Sequence, residues 1–157
     1  MKFGLAAVAF VACAASAQAT FNPIDFFRGR THGDGTLKII FQSPQHIQVD
    51  NLGTAEKDGT LLLQQVIHQP GKPTRTRYWR MRQTGPQTFE GTLTDAASAV
   101  RVEVAKAGIR IRYTGKDHLN FDQLLTPVGA SEVHNHMRVR RFGIIVAHFD
   151  EVIRKVD

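Results

Sequence analysis

The segment Arg75–Arg82, RTRYWRMR, threads four arginines through Trp79, Tyr78 and Met81. Guanidinium groups grip carboxylates and phosphates with paired N–H donors, and an adjoining aromatic face can take an apolar tail. In a strand, successive side chains face opposite ways. Arg75, Arg77, Trp79 and Met81 then share one face, and Thr76, Tyr78, Arg80 and Arg82 the other. The next segment decides which face is buried, because Phe89, Gly91 and Leu93 alternate there with Thr88, Glu90 and Thr92. Setting Met81 opposite Phe89 puts Trp79 opposite Gly91, a favourable ring-on-glycine pair, and Arg80 opposite Glu90. A slip of one residue would bury Glu90 without a partner or expose Trp79 and Phe89, so that register loses. On this reading Arg80 and Arg82 are exterior, and Trp79 and Met81 belong to the core. Arg75 and Arg77 point inward near one rim, toward either a ligand's anionic group or the solvent at the mouth.

Other candidates follow from the same alternation. Ile109, Ile111 and Tyr113 form a core face and leave Arg110 and Arg112 outside. A buried Tyr113 needs a partner for its hydroxyl, within the protein or on a ligand. The candidate ligand-binding set is therefore Arg75, Arg77, Trp79, Met81, Phe89 and Tyr113. His134-Asn135-His136 places two imidazoles on one strand face, a spacing compatible with zinc, but no third ligand stands at a fixed offset. His32, His46, His68, His118 and His148 are scattered, and the histidines are read as surface groups with no metal. Gly29–Gly35 is glycine-rich without the strand-then-helix setting of a phosphate loop, and reads as a flexible turn or bulge entry. G-x-S-x-G, H-E-x-x-H and P-loop motifs are absent; Asp25, Asp95 and Asp122 could serve as acids or bases, but sequence alone does not bring them together. No catalytic residue or cofactor is assigned, and the expectation is a non-catalytic protein.

The elements that must position these residues are short. Strand-like runs cover 37–42, 47–51, 60–68, 76–83, 88–94, 100–105, 109–114, 119–126, 133–141 and 144–153. Turn residues such as Lys57-Asp58-Gly59, Pro70-Gly71 and Gly85-Pro86 separate them. Ile24–Phe27 reads as a 3₁₀ plug, and His148–Lys155 fits strand and helix equally. Hairpin-length loops without βαβ alternation indicate an all-β antiparallel domain. Closure into an up-and-down barrel of about eight to ten strands would remove exposed edges, with a two-sheet β-sandwich as the alternative.

Bulk features bound the compartment. Lys2, the apolar run Phe3–Ala15 and Ala17-Gln18-Ala19 have the pattern of a cleaved signal peptide over residues 1–19. The expected location is exported and periplasmic, with residues 20–157 as one domain. Cys13, the sole cysteine, lies in that segment, where Phe10–Cys13 loosely fits a lipidation box that would anchor the chain to an outer membrane. Losing Lys2 takes the formal charge from +6 to +5 (6 − 1), spread along the chain. That basicity suits an anionic membrane surface better than nucleic acid. The sequence does not set an oligomeric state.

The stretch FFRGRTHGDG (Phe26–Gly35), Trp79-Arg80, EGTLTDA (Glu90–Ala96), Tyr113, Phe121-Asp122, Asn135 and Phe142-Gly143 together resemble a bacterial family. Its members are exported, often lipid-anchored proteins catalogued as a domain of unknown function. The resemblance implies a lipocalin-like barrel and brings no catalytic residue. Phe121-Asp122-Gln123-Leu124 departs from the family's aspartate pair before a tryptophan, and Asn135-His136 from its Asn-Arg. The expectation is a lipocalin-like barrel holding a small hydrophobic or amphipathic molecule such as a lipid. The alternative is a basic envelope protein docking through Arg80, Arg82, Arg110 and Arg112, and an enzyme stands third. Intact mass and N-terminal sequencing of the exported protein should find a chain starting at Thr20, of 138 residues (157 − 19). A lipid-modified terminus at Cys13 is the contrary result.

Overall fold

The computed structural model describes residues 21–156. The segments assigned to the signal peptide and to Cys13 lie outside the described residues. A short helix α1 (Pro23–Phe27) precedes ten strands. These are β1 (Gly29–Ile39), β2 (Gln45–Ala55), β3 (Leu61–His68), β4 (Arg75–Gly85), β5 (Thr88–Leu93), β6 (Val100–Ala105), β7 (Gly108–Thr114), β8 (Asn120–Pro127), β9 (Glu132–Arg141) and β10 (Ile144–Val156). Each strand pairs antiparallel with its sequence neighbours, and β1 pairs with β10, so the sheet closes into a barrel without a free edge. The all-β, lipocalin-like barrel expected from the sequence is the fold, with ten strands rather than a sandwich.

Alternation fills the interior. The inward residues Leu61, Leu63, Trp79, Met81, Phe89, Leu93, Val100, Val102, Ile109, Ile111 and Tyr113 are all buried. One end is packed shut. Asn22 caps α1 by accepting a hydrogen bond from the Ile24 amide at 2.9 Å, and the helix drives Ile24, Phe26 and Phe27 into the main core. The plug is thus a single α-helical turn rather than 3₁₀. At the opposite end, turns 40–44, 69–74, 94–99, 115–119 and 142–143 surround the mouth. Beneath that mouth lies a second apolar cluster of Ile47, Val49, Ile67 and Phe149, with Leu37 and Met137 against it.

Two local expectations are corrected and one open choice, between strand and helix at His148–Lys155, is decided. Gly29–Gly35 is the first half of β1 rather than a turn, because Thr31, Gly33 and Gly35 alternate inward where neighbouring side chains need room. His148–Lys155 lies within β10. In the β4–β5 hairpin the register is two residues from the expected one: Met81 faces Gly91, Trp79 faces Leu93 and Arg80 faces Thr92. An irregularity between Gln83 and Gly85 at the turn sets this shift. A two-residue slip keeps every side chain on its own face, so hydrophobic alternation cannot detect it.

Gly53 on β2 sits directly beneath α1, where an added Cβ would fall 1.8 Å from the Phe27 carbonyl oxygen. Gly53→Ala should therefore push the plug off the barrel end and cost about 1–3 kcal/mol, the range for overpacking. Urea denaturation followed by Trp79 fluorescence measures it, and unchanged stability would show that the plug is loosely held.

Candidate functional site

Between the packed end and the apolar collar, the barrel carries a belt of polar inward residues. They sit on faces otherwise made mostly of apolar or small residues: Thr31 on β1, Asn51 on β2, Gln65 on β3, Arg77 on β4, Gln123 on β8, Asn135 on β9 and Glu151 on β10. Sheet register joins them, since Thr31 lies opposite Asn51, Asn51 opposite Gln65, Gln65 opposite Arg77 and Asn135 opposite Glu151. The Gln65 side chain donates to Asn51 Oδ1 at 2.7 Å. Its Oε1 accepts from Arg77 Nε at 2.8 Å and from the Trp79 indole N–H. Arg77 also lies over the Trp79 ring, 5.7 Å from its centroid. Trp79 meets Tyr113 edge-on at 5.8 Å, and Tyr113 stacks on Phe121 at 4.6 Å.

Across the lumen, Glu151 is only 7 % exposed and accepts a hydrogen bond from Asn135 Nδ2 at 2.9 Å. Gly33 makes the space for it, because a Cβ there would fall 2.0 Å from Glu151 Oε1. Burial raises the Glu151 carboxyl above its ordinary range, opposed by the Asn135 hydrogen bond and by the charge on Arg77. Burial likewise raises the Tyr113 hydroxyl, opposed by Arg77 and Gln123 beside it. Thr31 Oγ1, Asn51 Nδ2 and Asn135 Oδ1 are buried without a hydrogen-bond partner in the protein. Unmet buried polar atoms are uncommon and costly, and of these three residues Asn135 lines the central cavity, where a ligand's polar group could meet it.

A cavity of about 530 Å³ runs from the mouth past this belt to Phe27 of the plug. Its walls are Leu37, Ile47, Ile67, Met137 and Phe149, and Arg77, Tyr113, Gln123, Asn135 and Glu151 reach into its inner part. That volume lies within the ordinary range for small-molecule sites, roughly 300–1,000 Å³.

The residues singled out from sequence distribute as follows. Arg77, Trp79, Met81 and Tyr113 line the cavity, as does Arg75, which is exposed at the mouth. Phe89 is buried in the main core and is not among the cavity-lining residues. Gln65, Asn51, Asn135 and Glu151 were not singled out as site residues, although each interrupts an apolar alternation, and that interruption is the signal that could have found them.

The exterior arginines are largely matched. Arg80 pairs with Glu56 rather than the expected Glu90, which lies opposite Arg82. Arg110 forms a two-pronged pair with Asp122 at 2.8 and 2.6 Å, holding that carboxyl below its usual range, and Arg112 lies 3.5 Å from Glu103. His134 and His136 also face outward and bind different carboxylates, Glu132 and Asp150. Among the described residues, no group of three or more His, Cys, Asp or Glu is arranged to hold a metal ion.

Comparisons with known proteins add a family and a fold. Residues 4–155 match the family described as "Protein of unknown function (DUF3833)". Among curated proteins, none matches. The barrel is similar to the structure of the S-type phycobiliprotein lyase CPES from Guillardia theta, with a TM-score of 0.65. That likeness covers 85 % of this chain and 90 % of the lyase at 3 % identity, so it speaks for the fold alone. It also corrects the expectation of a non-catalytic protein, because a protein with this barrel is a lyase.

The folded protein holds the Glu151 proton longer than the unfolded chain does. Its contribution to stability is therefore full at low pH and falls as pH climbs from the ordinary value of 4.5 toward the raised one. Glu151→Gln keeps the Asn135 hydrogen bond and removes the titration. Thermal melts across pH 4 to 8 (roughly the span in which carboxyls titrate) should show the variant gaining on the wild type as pH rises. Parallel curves would mean that Glu151 is not held in a dry site.

Proposed function

The chain belongs to the DUF3833 family of proteins of unknown function, and from that premise we propose that it binds a small amphipathic molecule inside the barrel. The observation that carries this reading is Arg77 standing over Trp79 inside an apolar-walled cavity that Asn135, with its buried Oδ1 unmet, also lines. The ligand places its acidic head, a carboxylate or phosphate, on Arg77 at the Gln65 side of the cavity. Its tail lies along the collar of Leu37, Ile47, Ile67, Met137 and Phe149 toward the mouth. A fatty acid or a single-chain lipid has this chemistry. Export to the periplasm, inferred from residues 1–19, would place the site where envelope lipids are available.

The belt has two sides with different chemistry. Arg77 is a fixed cation. Glu151, whose carboxyl burial raises above its ordinary range, is the group placed to exchange a proton with a bound ligand. Docking through Arg80, Arg82, Arg110 and Arg112 is not favoured, since all but Arg82 already pair with a carboxylate.

Isothermal titration with single-chain fatty acids and lysophospholipids, together with native mass spectrometry of the purified protein, tests the reading. Arg77→Met removes a charge-assisted hydrogen bond of roughly 1.5–3 kcal/mol and should weaken binding of acidic amphiphiles about 10- to 100-fold. The matching alcohols should lose far less. A lumen that takes up neither class, or an Arg77→Met protein that binds both equally well, would overturn the proposal.

A further inference from the structure

Among the described residues, the three most exposed large apolar side chains gather at one place. Phe41 is 100 % exposed, Phe142 86 %, Ile144 68 % and Ile40 48 %. Ile40, Phe41 and Phe142 belong to two neighbouring turns at the cavity mouth, and Ile144 opens β10 beside them. The Ile40 amide donates to the Val146 carbonyl at 3.0 Å, tying the β1–β2 turn to β10 just beyond the β9–β10 turn. Together they form an apolar lip on one side of the opening.

Two features separate this lip from chance exposure. Both tip phenylalanines have left-handed backbones, with φ 61° at Phe41 and 51° at Phe142. Bulky side chains rarely occupy that region, which glycine and asparagine enter without strain. The turn geometry alone would be better served by those residues, so the rings have no account in folding. The second feature is charge. Counting α1, the turns and the terminal residue of each strand, the mouth carries Lys72, Arg75, Lys116 and Arg141 against Asp95 and Asp117. That is 4 − 2 = +2. The plugged end carries Arg28, Lys57 and Lys106 against Asp25, Glu56, Asp58 and Glu132, or 3 − 4 = −1.

We propose that the mouth docks on an anionic lipid bilayer, with Phe41 and Phe142 entering the headgroup boundary and the rim cations meeting lipid phosphates. Aromatic tips beside lysine and arginine match the two layers of such a surface, apolar beneath and anionic above. Arg141, whose guanidinium lies 5.5 Å from the Phe142 ring centroid, brings both kinds of contact together. A second copy of this chain is a poorer occupant, because two +2 rims would face each other. Docking in this orientation turns the cavity toward the membrane, which goes beyond ligand binding and does not require it.

The experiment is co-sedimentation of the purified protein with vesicles of phosphatidylglycerol and phosphatidylethanolamine, against vesicles of phosphatidylcholine alone. The wild type should bind the anionic vesicles at least about tenfold more tightly. The pair Phe41→Gly and Phe142→Gly suits the left-handed backbone and so folds, and it should lose roughly tenfold or more in affinity. Lys116→Glu with Arg141→Glu should erase the anionic preference. In Phe142→Trp, acyl-brominated lipid should quench fluorescence beyond the background from buried Trp79. Anionic-vesicle binding that survives both pairs of substitutions, or no quenching at position 142, would overturn the proposal. Self-association that the glycine pair abolishes while vesicle binding persists would assign the lip to a second copy instead. Amphiphile titration of the glycine pair separates the two readings, since the cavity interior is untouched.

Discussion

Pairing of β1 with β10 is the contact on which the other features rest. It turns ten antiparallel strands into a closed surface, leaving no row of unpaired amides and carbonyls for another chain to extend. Closure also makes inward and outward absolute. Once the ladder from Arg30–Val156 to Ile39–Ala147 is formed, Gly33 and Gly35 lie against Glu151 and Phe149. The small residues of one strand thus accommodate the large ones of the next. A barrel of ten strands also encloses more space than one of eight, whose interior side chains nearly fill. The helical plug and the main core occupy one end of that space, and the cavity is what remains.

The polar belt follows from the same geometry. A charged side chain in a lumen is tolerated only when fixed dipoles or a partner surround it. Gln65 does this for Arg77 and the Trp79 indole together, and Asn135 does it for Glu151. Burial raises the Glu151 carboxyl above its ordinary range. One lumen thus offers a guanidinium and a buried carboxyl on different walls, a polarity that selects a ligand's orientation. The likeness to a lyase barrel fits a scaffold on which binding and chemistry share the same interior positions.

Alternation in the sequence carried a good deal of this. Trp79, Met81, Ile111 and Tyr113 were legible as interior, and Arg80, Arg82 and Arg112 as exterior, because a period of two survives register errors. Strand partners were not legible. Arg80 finds Glu56 on a turn 24 residues away rather than Glu90 on the next strand, and nothing in local pattern encodes that contact. Glu151 was hidden for a different reason. Its segment fits helix and strand equally, so its face was undefined until β10 paired with β1 and β9.

The sequence by itself determined the class of structure: ten short strands, their turns, the side of each that is apolar, and a family resemblance. Those properties are local, set by spacing over a few residues. The tertiary structure alone decided that Asn51, Gln65 and Arg77 form one chain of hydrogen bonds, that Asn135 meets Glu151, and that Phe41 and Phe142 share a lip. Each depends on which strands are neighbours and in what register, and that is settled by closure of the whole sheet.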